Sequence, residues 1–206
     1  QVSLTPDLMQ LAKSMGFYML TVLIAISIHM FFTLSIALKL LGNINPIKHL
    51  RTMSSVLLTA FSTSSSNATL PLTMESIENK AGVSNKIASF TLPLGATINM
   101  NGTALYECIA VIFIAQAYGI ELTFMQQMIV VFTALLAAIG SAGIPMAGIV
   151  MMTIVLNAVG LPLEGIGLIL AVDRILDMFR TSLNVYGDTC GAVVVAKSEG
   201  ENVYSG

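Results

Sequence analysis

The chain has 206 residues, of which 55% are hydrophobic and only 10% charged, with a net charge of −2 and a mean hydropathy of +0.85. A soluble domain carries about 25% charged residues, so this composition excludes a cytosolic enzyme, a disordered linker and a nucleic-acid binder, which needs basic patches. It points to an all-α integral membrane protein in contact with a lipid bilayer. Cys108 and Cys190 lie in apolar stretches without metal-ligand spacing and read as small packed hydrophobes. The chain opens on Gln1 with no cationic stretch and cleavage site after it, so no signal peptide is expected there, and a piece of a longer protein is the expectation.

Spans follow from where Asp, Glu, Lys and Arg are missing. Residues 14–38 lack all four, which predicts a transmembrane helix over 14–41. His29 interrupts the run and is expected to be buried and hydrogen-bonded. The next uncharged run, 52–74, is preceded by Lys39, Lys48 and Arg51 and followed by Lys80 and Lys86. The positive-inside rule puts both of its ends on the cytoplasmic side. A single crossing cannot do that, and Ser62-Thr63-Ser64-Ser65-Ser66-Asn67 puts six polar residues at its middle. The segment therefore reads as a re-entrant hairpin with a polar tip, surrounded by protein or a water-filled cavity.

Residues 87–120 read as a transmembrane helix broken within Gly95-Ala96-Thr97-Ile98-Asn99-Met100-Asn101-Gly102-Thr103. The run 122–163 is flanked by Glu121 and Glu164, and its centre, Gly140 to Gly148, holds three glycines and Pro145. Two ordinary spans would also return it to one side; the Gly/Pro centre favours a second re-entrant hairpin, entering from the opposite face. Residues 165–197 cross back as a polar helix ending at Lys197. Two hairpins of opposite entry, a broken helix and a polar helix form an inverted repeat of the secondary-transporter kind.

The last helix carries the chemistry. Asp173, Asp177, Arg180, Thr181, Asn184 and Asp188 step by helical spacings along one stripe, while Arg174 lies off it and is expected to pack or snorkel. Charges at membrane depth cost about 2.5–3.5 kcal/mol each on insertion scales, so they must pair or line a cavity. An internal ion-pair network of Arg180 with Asp173 or Asp177 is one reading. The other is a ligand site, because carboxylate, amide and broken-helix carbonyl oxygens suit a small cation and a guanidinium suits a carboxylate.

In order along the chain stand Ser64-Ser65-Ser66-Asn67-Ala68-Thr69-Leu70-Pro71, Asn99-Met100-Asn101-Gly102-Thr103, Ser141-Ala142-Gly143-Ile144-Pro145, Asp177-Met178-Phe179-Arg180-Thr181 and Asn184-Val185-Tyr186-Gly187-Asp188. This set resembles the glutamate/aspartate:cation symporter family, which includes the excitatory amino acid transporters, over that family's C-terminal half. The resemblance implies an inverted-repeat elevator-type transporter in the plasma membrane, not an enzyme, carrying L-aspartate or L-glutamate with sodium. It implies a homotrimer built through a scaffold that this stretch lacks.

The resemblance also assigns residues. Arg180 would bind the substrate's side-chain carboxylate and Asp177 its ammonium, with Thr103, Thr181 and Asn184 completing the pocket. The backbone of Ser64, Ser65 and Ser66 and of Ile144 to Gly148 would hold the α-carboxylate between the hairpin tips. One sodium ion would sit among Gly95, Asn99, Asn184 and Asp188. A second would join Thr97 and Met100 to Ala138, Ile139 and Ser141 at the second tip, which is the outer gate in the family.

Two departures stand out. The family's Asn-Met-Asp-Gly-Thr reads here with Asn101 for the acid that helps ligate a third cation, so two sodium sites are expected, the third is in question, and altered coupling (fewer sodium ions, or protons) is the alternative. Asn67 stands where many members carry serine, and Ser64 and Met178 occupy the places of an arginine found in prokaryotic members. A channel-like anion conductance is a further alternative. An intramembrane hydrolase is disfavoured, with no Gly-x-Gly-Asp or Gly-x-Ser-x-Gly in the chain, and an ATP-driven pump lacks its phosphate loop.

Overall fold

The computed structural model describes residues 8–141, 143 and 145–204, and every described element is helical. In chain order these are α1 (Leu8–Ile28), a π-helical turn His29–Thr33, α2 (Leu34–Gly42), α3 (Pro46–Thr52), α4 (Ser54–Thr63) and α5 (Ser66–Ser76). A second π-helical turn, Ile77–Ala81, precedes α6 (Asn85–Ile98) and α7 (Asn101–Ala117). Then come α8 (Phe124–Ile139), α9 (Ala147–Ala158), a 3-10 turn Leu163–Gly165 and α10 (Ile166–Ser198).

Local chemistry sets these boundaries. Asn45 caps α3 by accepting from the amides of Ile47 and Lys48, with Pro46 just inside the helix. Thr123 and Gln126 form a reciprocal capping box at the start of α8. Helix α4 stops where Ser64 turns left-handed at φ 51°, and α5 restarts under the Ser65 hydroxyl, which accepts from the Ala68 amide. Pro93 lies inside α6, which ends at Ile98, and α7 restarts at Asn101.

Helix α10, 33 residues and about 50 Å long, is the axis against which α1, α2, α4, α5, α6 and α7 pack, with α8 and α9 resting on α7. Two apolar cores divide along it. In the first, α1, α7, α8 and α9 meet the N-terminal half of α10, with Tyr106, Ile114, Val130, Met152, Ile169 and Leu176 among the buried residues. In the second, α2, α4, the Ile77–Ala81 turn and α6 meet its C-terminal half around Leu38, Met53, Val56, Ile77, Leu92 and Val193. Each helix pair, α4/α5 or α8/α9, thus shares a core with one half of the broken α6/α7 and one half of α10.

The bases of the two pairs lie at opposite ends of α10. Ala81, past α5, accepts from the amide of Tyr204, beyond the end of α10, and Lys48, before α4, donates to the Tyr204 carbonyl. At the other end, Gly165 packs so close to Ile114 of α7 that a Cβ would lie 2.4 Å from its side chain. The tips meet between these ends: the Ser65 hydroxyl and the Asn67 amide both donate to the Gly143 carbonyl, at 2.7 and 3.1 Å.

The outer surface is apolar. Phe17, Leu20, Ile24, Phe31, Phe32 and Leu40 of α1–α2 and Phe132, Leu135 and Leu136 of α8 are all exposed, more apolar surface than water-facing proteins leave uncovered. Two helical segments, Ala12–Gly42 and Asn85–Ala117, are long and apolar enough to cross a membrane. Helix α10 has the length without the composition, because the charged stripe interrupts it. The two cysteines are free; Cys190 is buried and Cys108 half-buried, and Arg174 is exposed.

Two predictions test this packing. A Cβ on Gly102 would lie 2.8 Å from the Arg180 backbone carbonyl, whereas one on Gly191 meets nothing within 4 Å. Gly102→Ala should destabilise the fold by about 1–3 kcal/mol, and Gly191→Ala should stabilise it by up to about 1 kcal/mol, read as shifts of the thermal unfolding midpoint in nanodiscs. The second concerns His49, which is fully buried and whose imidazole burial lowers to about 4. An unfolded chain takes up a proton there below about pH 6.5 that the folded chain refuses. Stability should therefore fall as pH drops from about 6.5 towards 4, by up to about 3 kcal/mol. His49→Gln should remove that part of the pH dependence; equal pH slopes in the two proteins would contradict it.

Candidate substrate and cation site

Residues of α10 and of both tips converge at the break between α6 and α7. A small cavity of about 10 Å³ lies there, lined by Ser64 and Ser66 of the first tip and by Ser141, Gly143 and Gly148 of the second. Met100 and Thr103 line it from the α6/α7 break, and Asp177, Thr181 and Asn184 from α10. Its volume is about that of one water molecule, so it has no room for a larger ligand while the tips stand where they are.

Arg180 stands beside the cavity, buried to 1% exposure. Its Nη1 donates to Asp173 Oδ1 at 3.2 Å and its Nη2 to Asp177 Oδ1 at 2.8 Å. The Tyr106 ring covers the guanidinium at 3.8 Å, a cation–π contact. Gly148 completes the cradle, since a Cβ there would lie 3.2 Å from Nη1. Asp177 uses its second oxygen to accept from the Met146 amide at 2.9 Å, where a left-handed residue (φ 62°) starts α9. Arg180 Nε and Ser64 Oγ are buried without a hydrogen-bond partner.

Asn184, one turn on, organises the break. Its Oδ1 accepts from the Gly102 amide at 2.7 Å, and its Nδ2 donates to Met100 Sδ at 3.2 Å and Thr103 Oγ1 at 3.3 Å. Asn99 Nδ2 donates to Asp188 Oδ1 at 2.8 Å and to the Asn184 carbonyl at 3.4 Å. Gly95 makes this possible, because a Cβ there would fall 2.7 Å from Asp188 Oδ1. Gly187 does the same on α10, where a Cβ would lie 2.7 Å from Asn99 Nδ2. Carboxylate, backbone carbonyl and amide are oxygen donors suited to a hard cation. Gly95, Asn99, Asn184 and Asp188 therefore stand together as one oxygen-rich cluster.

The residues expected around a second cation are less tightly gathered. Met100 and Ser141 share the cavity wall, and Gly143 lies against the Ala96 carbonyl. Thr97 is exposed, with its hydroxyl committed to the Pro93 carbonyl at 2.6 Å. Ala138 is buried and Ile139 exposed at the end of α8. Ile144 lies outside the described residues. Ser65 joins the tips instead of lining the cavity.

Asn101 turns away from the cavity: its Nδ2 lies 3.0 Å from His29 Nε2 and its Oδ1 accepts from the Gly102 amide. His29 is thereby hydrogen-bonded within the π-helical turn. Two residues that the pattern reading passed over belong here. Tyr106 covers Arg180, and Glu107 is fully buried with neither carboxylate oxygen partnered. A lone acid inside the otherwise uncharged 87–120 was the available signal for Glu107.

The buried ionisable groups are unbalanced. Among the described residues, Glu107, Asp173, Asp177 and Asp188 are buried with Arg180 as the one buried cationic side chain. Ion pairs account for Asp173 and Asp177 alone.

Comparison with known proteins gives the family. The profile of the sodium:dicarboxylate symporter family matches residues 2–198. An excitatory amino acid transporter of Caenorhabditis elegans is 47% identical over 92% of this chain and 38% of its own length. Excitatory amino acid transporter 3 of Mus musculus is 47% identical over 91% of this chain and 36% of its own. Excitatory amino acid transporter 5 of Homo sapiens is 48% identical over 89% and 33%. The chain spans little more than a third of the length of these curated relatives. On the family profile and on identities of this size over nearly all of its length, the chain belongs to the sodium:dicarboxylate symporter family.

Proposed function

We propose that this chain is the substrate- and cation-binding portion of a secondary transporter of L-aspartate or L-glutamate, coupled to sodium. The observation that carries the reading is the meeting of both hairpin tips beside the Arg180–Asp177 pair, with Arg180 Nε and Ser64 Oγ left unpartnered next to the cavity. An acidic amino acid supplies two carboxylates and one ammonium, one carboxylate more than a neutral amino acid does. Its side-chain carboxylate replaces Asp177 on the Arg180 guanidinium, as a bidentate partner. The released Asp177 then takes the ammonium. Each buried charge exchanges one partner for another, which avoids the several kcal/mol that an uncompensated buried ion costs.

Space for the ligand comes from the second tip. Met146 holds Asp177 through a single amide, and Gly143 holds the first tip through two hydrogen bonds. Moving Gly143 and Met146 outward releases both at once, while Ser65 keeps its cap on α5. Thr103, Thr181 and Asn184 form the floor, and the backbone of Ser64 to Ser66 and of Met146 to Gly148 faces the α-carboxylate.

Sodium enters as a second cargo. The excess of buried carboxyl groups over Arg180 favours uptake of cations with the substrate, and the Gly95–Asn99–Asn184–Asp188 cluster is the first place for one. The second lies between Thr97, Met100 and the Ala138–Ser141 tip, and forms when that tip settles. Asn101 is engaged at both ends of its amide, with His29 and Gly102, which supports two coupled sodium ions over three. The paired hairpins enter the bilayer from opposite faces, within a plasma-membrane homotrimer whose remaining length supplies a scaffold against which this portion slides.

Substrate choice tests the pocket. Arg180→Cys should abolish L-aspartate binding at saturating sodium and admit small neutral amino acids such as alanine or serine. Asp188→Asn should leave the pocket intact and raise the sodium requirement by about tenfold or more, the loss of a charge-assisted contact. Both are read by isothermal titration in nanodiscs. Unchanged aspartate affinity in Arg180→Cys would refute the pocket assignment.

A further inference from the structure

The residues after α10 cross back over the end of the bundle where α3, the Ile77–Ala81 turn and α6 begin or end. Tyr204 is their anchor. Its amide donates to the Ala81 carbonyl at 2.9 Å, its carbonyl accepts from Lys48 Nζ at 3.1 Å, and its ring lies under that ammonium at 5.4 Å. Its backbone is left-handed, φ 62°, a conformation that a tyrosine keeps only when its surroundings hold it. Three residues earlier, Glu201 Oε2 accepts from the Ser84 amide at 2.9 Å, at the start of α6.

The Tyr204 hydroxyl reaches His49 Nδ1 at 2.6 Å, and His49 Nε2 reaches Thr189 Oγ1 at 3.0 Å. Thr189 fixes the direction of this chain of hydrogen bonds. Its own hydroxyl hydrogen goes to the Tyr186 carbonyl at 2.8 Å, so Oγ1 can only accept from the imidazole. His49 therefore carries its proton on Nε2, and Nδ1 accepts from Tyr204. The relay runs Tyr204 to His49 to Thr189 to Tyr186, every member satisfied, and His49 is neutral in it. Tyr186, tilted by 41° at 5.5 Å, and Tyr204, edge-on at 5.9 Å, close the sides of the imidazole.

The relay ends on one turn of α10, Tyr186 to Thr189. The opposite side of that turn is Gly187 and Asp188, on which Asn99 rests. The tail thus grips both helices that bring oxygens to the cation cluster: α10 through His49 and Thr189, and α6 at its start through Glu201. We propose that residues 199–204 form a strap that positions the sodium ligands of α6 and α10, with Tyr204 and His49 as positioning residues acting through Thr189. This rests on the sodium reading of the Asn99–Asp188 cluster given above.

The test compares wild type with Tyr204→Phe, which removes one hydroxyl and keeps the ring, and with Glu201→Ala at the exposed end of the strap. In nanodiscs, Tyr204→Phe should raise the sodium concentration for half-maximal L-aspartate binding by about fivefold, with affinity at saturating sodium kept within about twofold. Glu201→Ala should shift it the same way by less. Nitrogen NMR of His49 should show the Nε2–H tautomer in wild type and its loss of order in Tyr204→Phe. An unchanged sodium midpoint in both variants, or an affinity at saturating sodium that falls in step with it, would overturn the strap's role while leaving the site reading intact. Wild-type binding indifferent to sodium, with the tautomer as derived, would overturn the cation reading and the positioning role with it, and leave the relay as a structural tie only.

Discussion

A guanidinium buried to 1% exposure on the central helix is the constraint around which the molecule is arranged. Removing one partner from such a group costs about 3–5 kcal/mol, so every element near Arg180 has to supply or respect its compensation. Asp173 and Asp177 come from its own helix at helical spacing. Tyr106 covers its face from α7, which fixes the approach of the broken helix. Gly102 has no room for a Cβ against the Arg180 backbone, and a Cβ on Gly148 would press on the Arg180 head. The second tip is tied in through Asp177, and the first through the second.

The same arrangement explains why the backbone breaks where it does. A carboxylate at Asp188 and an amide at Asn184 need partners that a continuous helix cannot offer, because its backbone groups are used internally. The interruption at Asn99 and Met100 frees them: the Gly102 amide turns to Asn184, and the Asn99 side chain turns to Asp188 and the Asn184 carbonyl. Broken backbone at this depth is stable because it is enclosed by α10 and both tips. The polar stripe and the helix breaks are thus one feature.

Much of this is written in the sequence in a form that simple chemistry can read. Runs without charge mark the helices, Gly140 to Gly148 marks one interruption, and the serine run marks the other. The stripe on α10 follows from spacing alone, and so does the position of Arg174 outside it. Three features are not legible in that way. The tips touch through Gly143 and Ser65, a long-range pairing that no local pattern encodes. The π-helical turn at His29 exists to bring its ring to Asn101, and π-helical turns have no residue signature. Tyr204 lies past the last helix among polar residues, and only the folded chain shows that it reaches His49, 155 positions away. Expecting both interaction and ligand roles for Arg180 left two readings open; the structure shows the ion pairs made, and the unpartnered Nε and Ser64 hydroxyl beside them.

The central claim is that cations and an acidic amino acid occupy this site together. The most direct measurement is the L-aspartate dissociation constant of the chain in nanodiscs across a series of sodium concentrations at constant ionic strength, with choline as the replacement. Two coupled ions predict that affinity rises with sodium with a logarithmic slope of about two at low sodium. A dissociation constant that does not change with sodium would contradict the account.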